Sequence, residues 1–530
     1  MSRATRAVVL SVALAIFTAI AAAPASATTF CVPGFHAGCL DNGSNVAEAD
    51  LEAAMNTNDT DGIGDRVLVG AITYTGPDSL RPLGTDPLTV IGSGTGQTRI
   101  TSSSTSNSFV VNLSQRPTQM RDLTIVIPAS FPDFPSSGSA LQATNSSFDR
   151  VNVESLNDRS SAAVSMLGDI TFRDCRFYGA EGGTINVGAR ANDALGPGTL
   201  RLVRTEIDDA VTGVVANTPD IEVRLEQSKV SEPENFAARA GTGGRLSIEN
   251  SVIEAGSSHA IEVVTSSLPA EQTSRVSVAS STIVAKANAT NAPLSVTIGG
   301  GPNSADAEVT VADSIIRGFD NTWDVDAPAG PGLGTASLVL TGSNFPAIGL
   351  PVDSLSVDFS DSRNIDQDPL FFGPSDYRLR PGSPSIDAAA NAADRPRLDF
   401  DGSRRPLDGN GDGVAIRDQG AFERPDRTAP KITLLKSKKL SKGAIRISLR
   451  LSEPARLVYS LKPVPKRLRG KLRRTVVVKR SGRRGANALP VKGRRLSPGR
   501  YVLRVTAIDA SDNRSVAVAR ARSAASFVPR

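Results

Sequence analysis

The sequence predicts an all-β protein, a right-handed parallel β-helix followed by a small antiparallel β-sandwich, on three observations. First, one pattern recurs eight times between Ser146 and Phe345: apolar, any, apolar, any, any, a mostly small residue, any, apolar. Second, Gly, Asn, Asp and Pro fill the stretches between copies, and Leu51 to Met55 is the one convincing helical turn. Third, the composition changes at Thr428: from there on 28 Lys and Arg face only Glu453, Asp509 and Asp512, whereas the preceding 427 residues carry 31 basic and 51 acidic side chains.

The regular copies are Ile170, Phe172, Cys175, Phe177; Leu200, Leu202, Thr205, Ile207; Val223, Leu225, Ser228, Val230; Leu246, Ile248, Ser251, Ile253; Val276, Val278, Ser281, Ile283; and Val309, Val311, Ser314, Ile316. Looser copies flank them, Ser146, Phe148, Val151, Val153 in front and Leu338, Leu340, Ser343, Phe345 behind. A spacing of two between apolar positions is the strand period, and the gap before the small residue is a bend between two short strands. Successive small positions lie 23 to 33 residues apart. A unit of that size cannot bury its apolar side alone, but coils stacked in parallel bury a continuous core. The small residues then form an internal column, in which each hydroxyl is expected to bond its neighbours above and below.

Residues 1–27 read as a signal peptide: Arg3 and Arg6 lead, an apolar run from Ala7 to Ile20 follows, and Ala25, Ser26 and Ala27 supply the small-residue cleavage pattern. No later stretch has the roughly 18 continuous apolar residues of a membrane span. An exported, soluble, monomeric product is expected. Cys31 and Cys39 lie eight apart in a Gly- and Pro-rich loop, and an oxidising environment favours a disulfide between them. Cys175 has the residue type of a nucleophile, but it occupies the position of Thr205 and Ser228, which makes it a buried structural thiol. Strand-like segments at 65–75, 87–100 and 120–127 supply opening coils. The helical turn at Leu51 has Asn45 and Asp50 as cap candidates and plugs the open end of the stack. The β-helix is assigned to 28–425, a linker to 426–430 and the sandwich to 431–530, with strands at 431–436, 444–461, 472–479 and 500–509.

The cysteine loop, LEAAM, GDRVLVGAITYT and LTVIGSGTGQTRI in that order resemble the N-terminal region of secreted actinobacterial-type proteins of the right-handed parallel β-helix superfamily. Residues 364–423, from NIDQDPLFFGPSDYRLRPGSPSIDAA to DFDGSRRPLDGNGDGVAIRDQGAFE, resemble the closing segment of β-helix proteins with a choice-of-anchor Q region. The ending LSPGRYVLRVTAIDASDNRS is similar to the last strands of bacterial immunoglobulin-like or fibronectin-III-like modules, with Tyr501 at the corner-tyrosine position. The first two resemblances imply the fold and carry no reaction with them; the third implies a module that binds or spaces.

Four groups of residues are candidates for chemistry. Asp408, Asn410, Asp412 and Gly413, with Asp418 beyond, match the first half of an EF-hand-type loop, and Ca2+ is the cation such oxygens would take. The twelfth position, Gln419, departs from that pattern, and a plain Asp, Asn and Gly turn is the competing reading. Lys466, Arg467, Arg469, Lys471, Arg473, Arg474, Arg483, Arg484, Arg494 and Arg495 crowd a polyanion-binding segment. For an exported chain its partner is an acidic polysaccharide or a teichoic-type polymer; without interleaved aromatics no specific nucleic acid is expected. Catalysis by a pectate-lyase-like or polygalacturonase-like protein would need a Gly-His-Gly segment or clustered acids. Only His36, His259 and the Asp208–Asp209 pair approach this, so no catalytic residue is assigned. Arg201, Arg224, Glu226 and Glu249 align on successive coils as a groove or a solvated face, and Phe319 and Trp323 are loop aromatics that either stack on sugar or pack on the coil. The sequence therefore favours a non-catalytic surface protein held by its basic module, with a lyase or glycoside hydrolase of acidic glycans as the alternative.

Overall fold

The computed structural model describes residues 27–523 apart from 57–62, 105–108, 131–138, 158–160, 181–183, 192–195, 242, 257–258, 266–271, 287–291, 299–304, 320–322, 327–333, 347–356, 391–394, 441–443, 465–466, 469–470, 473, 493–495, 497–498 and 510–512. The expected signal peptide thus lies outside the described residues up to Ser26. The described residues form a parallel β-helix followed by two small antiparallel sheets and a two-stranded hairpin. Three columns of parallel strands build the helix. One runs from Thr29–Val32 to Val357–Ser362, a second from Thr73–Gly76 to Ile315–Arg317, and a third of nine strands from Phe109–Leu113 to Asp324–Asp326. The repeat pattern marks only the first two; the third, in segments such as Ile185–Ala191 and Ala210–Ala216, has no fixed apolar signature.

Register stacks like on like. Ile170 pairs with Leu200, Leu200 with Val223, Val223 with Leu246, Leu246 with Val276 and Val276 with Val309, all fully or almost fully buried. Phe148 and Phe172 stack at 4.5 Å, and Phe177 meets Phe172 edge-on at 5.2 Å. Each such aliphatic or aromatic side chain contributes roughly 1.5–3 kcal/mol through burial.

The bend between the first two strand columns is a single left-handed residue. Asp122, Arg150, Asp174, Arg204, Gln227, Asn250, Ser280, Asp313, Gly342 and Arg363 all have φ between 47° and 59°, and each directly precedes the column position of its coil, which is small from Cys175 to Ser343. The kink takes the next amide out of the backbone ladder, and the side chain of the following coil replaces the lost acceptor. Thus Thr205, Ser228, Ser251, Ser281 and Ser314 donate their N–H to the Oγ of Ser228, Ser251, Ser281, Ser314 and Ser343 at 3.0–3.1 Å. The column ends on Asn364, whose Oδ1 accepts from Ser343 N. Each hydroxyl in turn donates to a backbone carbonyl, as Ser281 Oγ does to Ala279 O at 2.9 Å. The expected chain of hydroxyl-to-hydroxyl bonds is therefore corrected: coil spacing suits an Oγ between two backbone groups.

At the N-terminal end the helix Leu51–Met55 buries Leu51, Ala54 and Met55, and Asp50 caps it by accepting from Ala53 N. Asn45 is no cap; it lies in a strand and donates to Leu40 O. Buried Arg116 pins this end by donating to Met55 O and Asp86 O and pairing with Asp65. Residues 364–425 fold back along the bend edge of the coils. Ala390 N and Arg395 meet the carboxylate of Asp313, Gly420 N meets Asp313 O, and Gln419 Nε2 meets Gly342 O. Tyr377, Ala421 and Phe422 cover Val252 and Val284. The sandwich follows, with Ile432–Lys439, Ile445–Leu451 and Gly485–Val491 in one sheet and Val476–Gly482, Ala455–Val464, Gly499–Ile508 and Arg514–Ser523 in the other.

Replacing Ser281 by Ala strands the buried Ser251 N–H, and a loss of about 1–3 kcal/mol in the denaturant unfolding of the β-helix is expected. Ser281→Thr keeps a hydroxyl in the column, where Thr205 already stands two coils below Ser251, and should cost less than about 1 kcal/mol; equal stability of the Ala variant would refute this account of the column.

Candidate functional site

Strand alternation gives the four-stranded sheet of the sandwich two different faces. Leu457, Tyr459, Leu461, Leu503, Val505 and Ala507 point inward and are buried. On the other face Lys462, Lys479, Arg500, Arg504, Arg514, Arg520 and Arg522 are exposed. Between them stand Val464, Val477, Val502, Val516 and Val518, of which Val518 is 65% exposed. Arg500 lies directly opposite Arg522, and Val502 opposite Arg520. Like charges in directly opposed positions repel, so this sheet carries a cost that an anion lying across the strands would relieve. Among the described residues none of these seven cations is paired with an acid. Val464, Arg500, Val502, Arg520 and Arg522, together with inward-facing Tyr501 and Ala521 and Ser437 of the other sheet, line an open groove at one end of these strands.

Of the polyanion-binding residues expected from sequence, Arg474, Arg483 and Arg484 are described and exposed. Arg467 and Lys471 stand in a two-stranded hairpin, opposite Leu472 and Leu468. Lys466, Arg469, Arg473, Arg494 and Arg495 lie outside the described residues. The sheet face was missed because its charges are spread one every second residue over four strands instead of crowding one segment. The alternation in RSVAVARARS is the signal that reveals it.

On the β-helix the charged columns are largely self-satisfied. Arg201 does stand beside Arg224, and Glu226 beside Glu249, but Arg201 grips Glu226 with two bonds and Arg224 takes Glu222. Asp208 accepts from Arg176, while Asp209 is a left-handed turn residue, so the two acids do not act as a pair. The richest polar constellation lies nearby: Arg99 holds Glu154 with two bonds, Tyr178 Oη donates to Glu154 at 2.9 Å, and Arg176 covers the Tyr178 ring. Burial pushes Glu154 up, yet the bonds from Arg99 and Tyr178 outweigh it and keep the carboxyl below its ordinary value. Burial and the Glu154 bond raise the Tyr178 phenol, so it stays protonated and is a poor base.

Other candidates prove structural. The nitrogens of His36 bond Leu68 O and Gly38 N. His259 stacks on Phe236, and burial lowers its pKa. Trp323 is buried edge-on against Phe345, and Phe319 packs on the core, so neither offers a free stacking face. The Cys31–Cys39 disulfide is formed, with the Cα atoms 5.5 Å apart.

In the EF-hand-like loop Asp408 accepts from the amides of Gly411, Asp412 and Gly413, Asn410 from Asp412 N, and Asp412 from Val414 N. The carboxylate of Asp418 is buried elsewhere, accepting from Asp387 N and Arg424 N, and Gln419 reaches Gly342. Among the described residues the acids that converge closely enough to share a cation are instead Asp426, Glu453 and Asp509.

No protein-family model matches the sequence, and no curated protein does. Among solved structures, the A-module of the mannuronan C-5 epimerase of Azotobacter vinelandii is 13% identical with a TM-score of 0.36, over 60% of this chain and 92% of that one. Carrot pectin methylesterase is 13% identical with a TM-score of 0.31, over 64% and 91%. Tailspike protein 3 of bacteriophage CBA120 is 12% identical with a TM-score of 0.29, over 57% and 56%. Likeness at this level carries no argument about this chain.

Cys175 is 3% exposed, and burial pushes its thiol up to about 12. Since only the thiolate reacts, iodoacetamide at pH 8 should leave the folded protein unlabelled and add one adduct after unfolding without reduction, read by intact mass. Rapid labelling of the native chain would show that this thiol is not a core residue.

Proposed function

We propose that this is an exported, non-catalytic β-helix scaffold, retained on an acidic polysaccharide or teichoic-type polymer of the cell envelope by its C-terminal sandwich. The observation that carries the reading is the sheet face on which seven exposed cations, none paired with an acid among the described residues, stand among valines. Phosphate or carboxylate repeats of a polymer would lie between the guanidinium rows, and the valines would meet its apolar edges. The segment 364–423 is read as a choice-of-anchor Q-type closing region and the sandwich as an immunoglobulin-like module. Export follows from the leader pattern. Among the described residues no helix is long and apolar enough to cross a membrane.

The second reading, a lyase or hydrolase of acidic glycans, has the Arg99, Glu154, Tyr178 and Arg176 constellation as its support. Each member is already engaged by another, which suits a structural network better than a site awaiting substrate. Incubation with polygalacturonate and with alginate, with and without calcium, distinguishes the two readings: unsaturated products absorbing in the ultraviolet, or new reducing ends, would overturn the scaffold reading.

Retention of the mature chain on immobilised polygalacturonate and on poly(glycerol phosphate) should fall steeply with salt. The triple substitution Arg500→Ser, Arg504→Ser and Arg520→Ser should lower the slope of log affinity against log salt by roughly two to three. An unchanged slope would show that this face is not the contact.

A further inference from the structure

Three acids meet where the β-helix closing segment joins the sandwich. Asp426 comes from the connecting segment, Glu453 from the turn between Ile445–Leu451 and Ala455–Val464, and Asp509 from the end of Gly499–Ile508. They are 7%, 5% and 9% exposed, and one carboxylate oxygen of each lies within 4.8 Å of the others. The second oxygen of each is anchored. Asp426 Oδ1 accepts from Thr428 N at 2.7 Å, Glu453 Oε1 from Ser452 Oγ at 3.1 Å and Asp509 Oδ1 from Asn513 N at 2.8 Å.

The inward oxygens are not provided for. Glu453 Oε2 and Asp509 Oδ2 are fully buried and have no hydrogen-bond partner. No Lys or Arg among the described residues pairs with any of the three. The loop of Gly411 closes over them at φ +74°, where an added Cβ would come within 3.2 Å of Asp426 Oδ2 and 3.3 Å of Glu453 Oε2. Two inward oxygens therefore look at one point that only a glycine leaves open.

We propose that Asp426, Glu453 and Asp509 form a divalent-cation site that clamps the sandwich onto the closing segment of the β-helix. Uncompensated buried carboxylates are costly, and a hard dication is the counter-charge whose ligand preference matches an all-oxygen set. Calcium is the favoured ion: oxygens on its coordination sphere, at 2.3–2.6 Å from the ion, sit at most about 5 Å apart. The loop Asp408–Gly413 acts through its backbone, with Asp408 folding it and Gly411 keeping the space free. This site is independent of the polymer-binding face.

The test uses the mature full-length chain stripped with chelator and titrated calorimetrically with calcium chloride and, separately, magnesium chloride, alongside thermal melts. One calcium per chain is expected, with magnesium binding at least roughly tenfold more weakly. Glu453→Gln and Asp509→Asn should each weaken calcium binding by roughly tenfold or more, while Asp412→Asn, on the neighbouring loop, should leave it within about twofold. Without calcium the two neutralised variants should melt no lower than the parent, because repulsion is relieved, which also shows that they fold. Three outcomes would overturn the proposal: neither heat nor stabilisation up to about 10 mM calcium, full binding in Glu453→Gln, or a loss confined to Asp412→Asn.

Discussion

The structure depends on one left-handed backbone residue per coil. A β-helix must turn sharply between strands while keeping every coil in register, and a single αL residue does this without lengthening the loop. For a residue other than glycine that conformation costs roughly 1 kcal/mol, yet here it is filled in successive coils by Asp122, Arg150, Asp174 and Arg204. Stacking offsets the cost. Arg150 grips Asp122, and Arg204 grips Asp174, each with two bonds of 2.6–2.8 Å, so residues that would be strained singly are held by the coil below. The small-residue column is the inner consequence of the same kink. From Thr205 onward, where the bend removes a backbone acceptor, the next coil returns a side-chain oxygen, whereas the bends at Asp122 and Arg150 precede the apolar Leu123 and Val151.

That constraint also decides where the closing segment lies. Further along the stack the bend residues include Gln227, Asp313 and Gly342, and these three do not use a neighbouring coil in the way the arginine and aspartate pairs do. Instead Gln227 donates to Asp399 O, Asp313 takes Ala390 N and Arg395, and Gly342 offers its carbonyl to Gln419. The outward positions beside them change character as well. Arg176, Glu206 and Lys229 are followed in register by Val252, Thr282 and Ile315, which the closing segment covers. The Tyr178 constellation stands on coils before the stretch that the closing segment covers.

Much of this was legible because a stacked repeat writes its geometry at fixed intervals. The apolar pairs, the small column and the buried state of Cys175 follow from spacing alone, and the change at Thr428 separates a parallel from an antiparallel architecture. The third strand column was not legible: Ile185–Ala191 and Ala210–Ala216 face it with small residues whose pattern varies from coil to coil. The hydroxyl column was read with the wrong partners, because spacing shows that serines stack but not that a kink leaves an amide in need of each one. The acidic junction was invisible for another reason. Asp426, Glu453 and Asp509 are far apart in the chain and belong to no local motif, whereas the Asp408–Asp412 run, which does look like a cation loop, uses its side chains on its own amides.

The two halves of the chain also differ in how their charge is used. The β-helix is the more acidic by sequence, but many of its carboxylates are held in cross-coil pairs such as Arg176 with Asp208, Arg201 with Glu226 and Arg275 with Glu308. Exposed pairs of this kind contribute little stability and largely cancel one another's field beyond a Debye length of about 8 Å. The sandwich has almost no acids with which to do the same, and those described, Glu453 and Asp509, are buried at its junction end, away from solvent. Its positive field is therefore available to solution while much of the opposite charge on the helix is locally spent. Any polyanion meeting this chain would therefore feel the field of the sandwich sheet more strongly than that of the coil flank.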